Sequence, residues 1–122
     1  MNLALYIHIP YCLHKCGYCD FNSHPENQEE SAHYVEALLT ELKNYSTTLK
    51  SYSVPTVFMG GGTPTILPPS QLKKILDTVR QNFNLIPGCE ITIEANPATI
   101  KLETLQEIHA AGYNRISIGV QS

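Results

Sequence analysis

The sequence predicts an α/β fold built on parallel strands, and three observations carry that prediction. Short strand-like runs recur four times, three of them alternating in their two faces, and a longer stretch with helical spacing separates each from the next. Strands separated by helices in this way pair in parallel through right-handed crossovers. The cysteine-rich and glycine-rich stretches directly follow strands, at the edge where parallel α/β folds gather their ligands.

Each element can be justified in order. The first strand is Leu3–Ile9, with Leu3, Leu5, Ile7 and Ile9 on one face and Ala4, Tyr6 and His8 on the other. A loop with three cysteines follows, then a helix from Glu29 to about Leu49 carrying Val35, Leu38, Leu39, Leu42 and Leu49 at helical spacing. Val54–Met59 is the second strand and runs into Gly60-Gly61-Gly62-Thr63-Pro64. The next helix is expected to take Ser70 as N-cap, with Leu72, Ile75, Leu76, Val79 and Phe83 on its apolar face. Cys89–Glu94 forms the third strand, ended by Asn96-Pro97. A third helix, about Leu102–Ala111, stops at Gly112, a residue suited to a left-handed C-terminal position. Arg115–Val120 is the fourth strand.

The strand faces say more than the strands. Ile91 and Ile93 oppose Glu90, Thr92 and Glu94, and Ile116, Ile118 and Val120 oppose Ser117, Gly119 and Gln121. A sheet covered by helices on both sides would carry continuous apolar runs. Alternation with small and polar residues suits a curved sheet whose apolar face packs on helices and whose polar, concave face lines a cavity. The chain stops on a strand with no following helix, the expectation for a piece of something longer. Its fourth strand then has an open edge, so the isolated piece is expected to be a marginal fold that associates.

Composition narrows the function classes. The 122 residues are 43% hydrophobic and 16% charged, with a net charge of -3. Lys and Arg are scattered, no basic run exceeding Lys73-Lys74, so no nucleic-acid partner is expected. No apolar stretch nears the roughly 20 residues that cross a bilayer, and the start lacks a secretory pattern. Membrane association is not indicated, and a cytoplasmic location is the default. Cysteines in that compartment serve as metal ligands or free thiols more often than as disulfides.

Cys12, Cys16 and Cys19 form C-x3-C-x2-C straight after a strand. Thiolates this dense can reach three corners of one iron–sulfur cube and leave its fourth iron open to a ligand. Zinc with His14 or His24 as a further ligand is the rival reading, although zinc sites usually pair two knuckles. Cys89, alone at a strand start, reads as a buried small apolar residue. The three glycines at 60–62 let a ligand approach the backbone, but alone they could equally be a turn. The ending Gly-Lys-Ser/Thr of a P-loop is absent. Glu94 and Gln121 lie at the ends of the third and fourth strands, so four candidate elements share one edge of the sheet.

Together these residues resemble the radical S-adenosylmethionine (SAM) superfamily. Tyr6-Ile7-His8-Ile9-Pro10-Tyr11-Cys12, Gly60-Gly61-Gly62-Thr63-Pro64-Thr65, Glu94-Ala95-Asn96-Pro97 and Gly119-Val120-Gln121-Ser122 are similar, in order, to the oxygen-independent coproporphyrinogen III oxidase-like family. The resemblance implies a [4Fe–4S] cluster on Cys12, Cys16 and Cys19, and SAM contacts from Tyr6, Gly61, Gly62, Thr63, Glu94 and Gln121. It implies a parallel-stranded partial (β/α)6 barrel, of which residues 1–122 would be the N-terminal part of the core domain, supplying four strands. No second domain is visible. True oxidases of the family carry a fourth cysteine two residues after the third and a longer N-terminal arm. Here Phe21 holds that position, and only two residues precede the first strand. Both departures resemble the HemW branch, whose members bind haem and pass it to acceptor proteins. The alternatives are oxidative decarboxylation of coproporphyrinogen III by a 5′-deoxyadenosyl radical and, more remotely, a small zinc or iron–sulfur module without SAM.

Overall fold

The computed structural model describes residues 2–12, 24–25, 28–96 and 100–118. Its elements are β1 (Asn2–Ile9), β2 (Tyr11–Cys12), β3 (His24–Pro25), α1 (Gln28–Leu49), β4 (Ser53–Gly61), α2 (Pro69–Asn82), β5 (Asn84–Ala95), α3 (Leu102–Ala111) and β6 (Arg115–Ile118). A 3-10 turn, Pro64–Ile66, separates β4 from α2.

The main sheet has the order β1-β4-β5-β6, and every neighbouring pair is parallel. The strand–helix alternation therefore gives the expected architecture, with consecutive long strands adjacent. Helix α1 packs against α2 and α2 against α3. The core lies under them: Ile7 and Ile9 of β1, Val57 and Met59 of β4, and Ile91 and Ile93 of β5 are buried with Val35, Leu39, Leu42, Leu72, Ile75, Leu76 and Val79 from the helices. On the opposite side of β1, Ala4, Tyr6 and His8 are exposed, so the predicted division of faces holds for this strand.

Four local expectations are corrected. Ser70 is not the N-cap of α2: Pro68 occupies that position, Pro69 is the first helical residue and no side chain caps the helix. Proline fits a first helical position because its fixed φ suits the helix and its missing N–H would go unpaired there. The carbonyl of Pro68 instead accepts from the amides of Gln71 and Leu72. Second, β5 begins at Asn84 rather than Cys89, and its pairing jumps from Val54↔Leu85 to Thr56↔Glu90. The extra residues loop out at Pro87 and Gly88, which has a φ of 78°. Third, Thr92 belongs to the polar face by alternation yet is buried. Fourth, Ile116 and Ile118 of β6 are exposed, not packed on the helices as expected. In addition, β2 and β3 form a small parallel ladder, Tyr11↔His24 and Cys12↔Pro25, that alternation did not signal.

The expected ending of α3 holds, since Gly112 has a φ of 121° and its N–H donates to the carbonyl of His109. Among the described residues, no helix is long and apolar enough to cross a membrane.

Candidate functional site

The register aligns residues on the open face of the sheet. Tyr6 stands beside Phe58 and Phe58 beside Thr92, while one step further along the face His8 stands beside Gly60. Glu94, two residues beyond Thr92 on β5, is the partner of Ser117 on β6. The residues at the carboxyl ends of β1, β4 and β5 thus come together around the start of the glycine loop.

The contacts are specific. The Gly61 N–H donates to Glu94 Oε1 at 2.9 Å. The next amide, Gly62 N–H, donates to the Ile9 carbonyl at 2.8 Å, tying the loop to the end of β1. Gly61 has a φ of 115°, a conformation that L side chains rarely adopt, and a Cβ on it would lie 2.6 Å from the Ile9 carbonyl oxygen. Thr63 precedes the 3-10 turn, its carbonyl accepting from the Ile66 N–H at 2.9 Å. Against that turn packs β2, which contains Cys12, so the first cysteine is carried close to the glycine loop.

Tyr6 is exposed. Its ring stacks on Phe58 with centroids 5.9 Å apart and planes 15° apart. Its hydroxyl lies 3.3 Å from His8 Nδ1. Partial burial, and then the nearby negative charge of Glu94, raise the Tyr6 pKa above its ordinary value, keeping the phenol neutral. Behind His8, the Tyr34 hydroxyl donates to the His8 carbonyl and pins α1 to the end of β1. A groove of about 420 Å³ between β1 and α1 shares Tyr6 and His8 with the site and continues past Leu38, Glu41 and Tyr45.

Of the residues singled out from sequence, Gly61 and Glu94 meet directly, Tyr6 lies near enough to feel the charge of Glu94, and Gly62 and Thr63 continue the same loop. Cys16, Cys19, Phe21 and Gln121 lie outside the described residues. Cys89 is buried and free, as expected of a packing residue, and burial raises its thiol pKa while Arg80 partly opposes that rise. Sequence reasoning assigned no role to His8 or Phe58, and to Gly60 only a share in the glycine loop open to a ligand. Their alternation with Tyr6 and Glu94 was visible, but which residues stand side by side follows only from strand register.

The donor set suits one kind of ligand. A carboxylate, a phenol, an imidazole and loop peptide groups can accept hydrogen bonds from an ammonium or from sugar hydroxyls. Within the turn that follows the loop, Thr65 Oγ1 is buried with no hydrogen-bond partner among the described residues. These features fit a polar, partly cationic ligand at the end of the sheet.

Comparison with known proteins gives the same direction. The model of the Radical SAM superfamily matches residues 6–122. The chain is 46% identical over 121 residues to the Heme chaperone HemW of Escherichia coli K12, covering 98% of this chain and 32% of that protein. It is 42% identical over 122 residues to the Heme chaperone HemW of Mycobacterium tuberculosis H37Rv, covering 98% of this chain and 31% of that protein. The solved structure of coproporphyrinogen III oxidase (HemN) from Escherichia coli, described as a radical SAM enzyme, superimposes with a TM-score of 0.90 at 36% identity. That match covers 98% of this chain and 28% of the HemN chain, so this chain spans about a third of the length of its relatives. The four-stranded parallel sheet with helices on one face is thus the corresponding part of the HemN barrel, and the chain belongs to the radical SAM superfamily.

Proposed function

We propose that the whole protein is a HemW-like haem chaperone that carries a [4Fe–4S] cluster and SAM and hands haem to an acceptor protein. The superfamily itself implies SAM and the cluster. In this reading Cys12, Cys16 and Cys19 hold the cluster, and Tyr6, Gly61, Gly62, Thr63, Glu94 and Gln121 contact SAM. A cluster held by three thiolates supplies an open iron for SAM and a source of one electron. This chain's own residues do the positioning: Gly61 offers a peptide edge without a side chain, and Glu94 places a negative charge beside it.

The observation that carries the SAM reading is the bond of the Gly61 amide to Glu94 beside Tyr6, with β2, which contains Cys12, packed on the turn that follows the glycine loop. The choice of chaperone over oxidase is supported by the HemW relatives and by Phe21, which leaves no thiol where the oxidases have one. A planar apolar macrocycle could be held by burial and an axial ligand from another part of the protein.

The test uses full-length protein reconstituted without oxygen. Replacing Cys12, Cys16 or Cys19 with Ala should abolish cluster assembly, while Cys89→Ala should leave iron content unchanged. Glu94→Gln preserves shape and removes charge, so SAM affinity should fall about ten- to a hundredfold, the usual loss for one charge-assisted hydrogen bond. Incubation with coproporphyrinogen III, SAM and reductant should yield no protoporphyrinogen, and the protein should bind haem. Decarboxylated porphyrins formed at the rate of a true oxidase would replace the chaperone reading with the oxidase one.

A further inference from the structure

We propose that Gly60 is a positioning residue: its bare Cα seats the Glu94 carboxylate, and that seating holds the Gly61 amide in place. Gly60 does not need glycine for its backbone, since among the described glycines only Gly61, Gly88 and Gly112 have positive φ. What it needs is space. A Cβ on Gly60 would lie 2.5 Å from Glu94 Oε1, 2.9 Å from Phe58 Cε1 and 3.0 Å from the Tyr6 hydroxyl oxygen. Those separations are too short to persist, so one neighbour has to move.

The neighbours are not equally free to do so. The Tyr6 and Phe58 rings are stacked, so moving either one disturbs the pair. Glu94 is the flexible member, and its end is the atom most closely approached. The same Oε1 accepts the Gly61 N–H at 2.9 Å. A methyl group at position 60 therefore displaces the carboxylate from the loop amide while the strands stay paired. The Gly62 N–H to Ile9 carbonyl bond still holds the base of the loop, so the change is local.

This gives Glu94 a second task beside any contact with a ligand. One of its oxygens is committed within the protein, to the amide of a residue in the left-handed region. Gly60, Gly61 and Glu94 thus act as one latch, and the glycine at 60 is specified by the carboxylate across the strand pair.

The latch can be read with or without ligand, and only its affinity arm rests on the SAM reading above. Four forms of the full-length protein suffice: wild type, Gly60→Ala, Glu94→Ala and the double variant. In the cluster-free protein, hydrogen exchange resolved at the Gly61 amide should be about tenfold faster in either single variant, and no faster still in the double. In the reconstituted protein, calorimetry with SAM should show Gly60→Ala lowering affinity about tenfold alone, and less than twofold in the Glu94→Ala background. Circular dichroism and iron content should match wild type in Gly60→Ala. Unchanged Gly61 exchange in that variant, or an equal affinity loss in both backgrounds, would overturn the latch. Failure of the wild type to bind SAM would overturn the ligand reading instead, and the exchange comparison would still decide the latch.

Discussion

Strands β5 and β6 lie side by side and carry the same alternation, yet their isoleucines meet opposite surroundings. Ile93 is fully buried, and its register partner Ile116 is 37% exposed. Ile91 is 3% exposed and Ile118 is 54% exposed. The residue type, the strand type and the face are the same, so the difference comes from what lies above each strand. The helices cover β5, where Ile93 joins a core with Leu72, Ile75 and Ile108, whereas β6, one of the two edge strands among the described residues, lacks such cover; the other edge, β1, has it and buries Ile7 and Ile9. Alternation reports which face a side chain takes; burial requires a neighbour, and the neighbour comes from elsewhere in the chain.

The largest effect should separate the two strands directly. In the full-length protein, Ile93→Ala should cost about 2–5 kcal/mol in denaturant unfolding, because it leaves a cavity in a closed core. In the 122-residue chain by itself, where Ile118 is exposed, Ile118→Ala should stay within about 0.5 kcal/mol, as for other exposed positions. In that same chain, a loss at Ile118 as large as that at Ile93 would break the comparison.

The next two effects test the joint between the strands. Before β6 begins, the Asn114 side chain acts as a piece of strand: Oδ1 accepts the Ile91 N–H at 2.8 Å and Nδ2 donates to the Cys89 carbonyl at 2.9 Å. Asn114→Ala leaves both backbone groups unpaired and should cost about 1–3 kcal/mol. Its neighbour Tyr113 is buried, and its hydroxyl donates to the Leu72 carbonyl at 2.8 Å. Tyr113→Phe should cost about 1–2 kcal/mol for the carbonyl left without a donor.

Tyr113 also gives that joint a pH dependence. Burial raises its pKa well above the ordinary tyrosine value, with Arg80 opposing the shift and Asp77 adding to it. The unfolded chain therefore releases this proton first, and its contribution is complete below about pH 10 and lost as pH rises beyond that toward the folded value. Melting temperatures followed through the alkaline range should fall more steeply in wild type than in Tyr113→Phe. Parallel curves would remove Tyr113 as the source.

The smallest effect is expected on the outer surface of the helices. Lys74 Nζ lies 2.9 Å from Glu36 Oε1 and joins α2 to α1, but both side chains are more than half exposed. The lysine lowers the Glu36 pKa, first by its hydrogen bond and then by its charge. Solvent screens such a pair, so Lys74→Ala should leave the unfolding midpoint unchanged at physiological salt. A clear shift would mean that helix packing over the covered strands depends on this contact.

Much of the candidate site was legible in the sequence because its chemistry is local. Three cysteines on one loop, three glycines after a strand and a carboxylate at the end of another can each be recognised without knowing the fold. The latch was not legible. Gly60 is indistinguishable from its two neighbours in a run of three, and its demand for space arises from Phe58 on its own strand and from Glu94 and Tyr6 on the strands to either side. The start of α2 was misread for a related reason: Ser70 has the right chemistry for a cap, but Pro68 and Pro69 set the backbone first.

The sequence by itself determined the order of the long strands and helices, the parallel pairing of the main sheet, the core face of β1 and the left-handed end of α3, because periodicity and backbone sterics act over a few residues. Tertiary structure decided the rest. It buried Thr92 and exposed Ile116, paired Tyr11–Cys12 with His24–Pro25, and brought the Gly61 amide to Glu94 from 33 residues away. Those outcomes depend on register and on which element covers which strand, and both are settled by contacts between residues far apart in the chain, where periodicity carries no information.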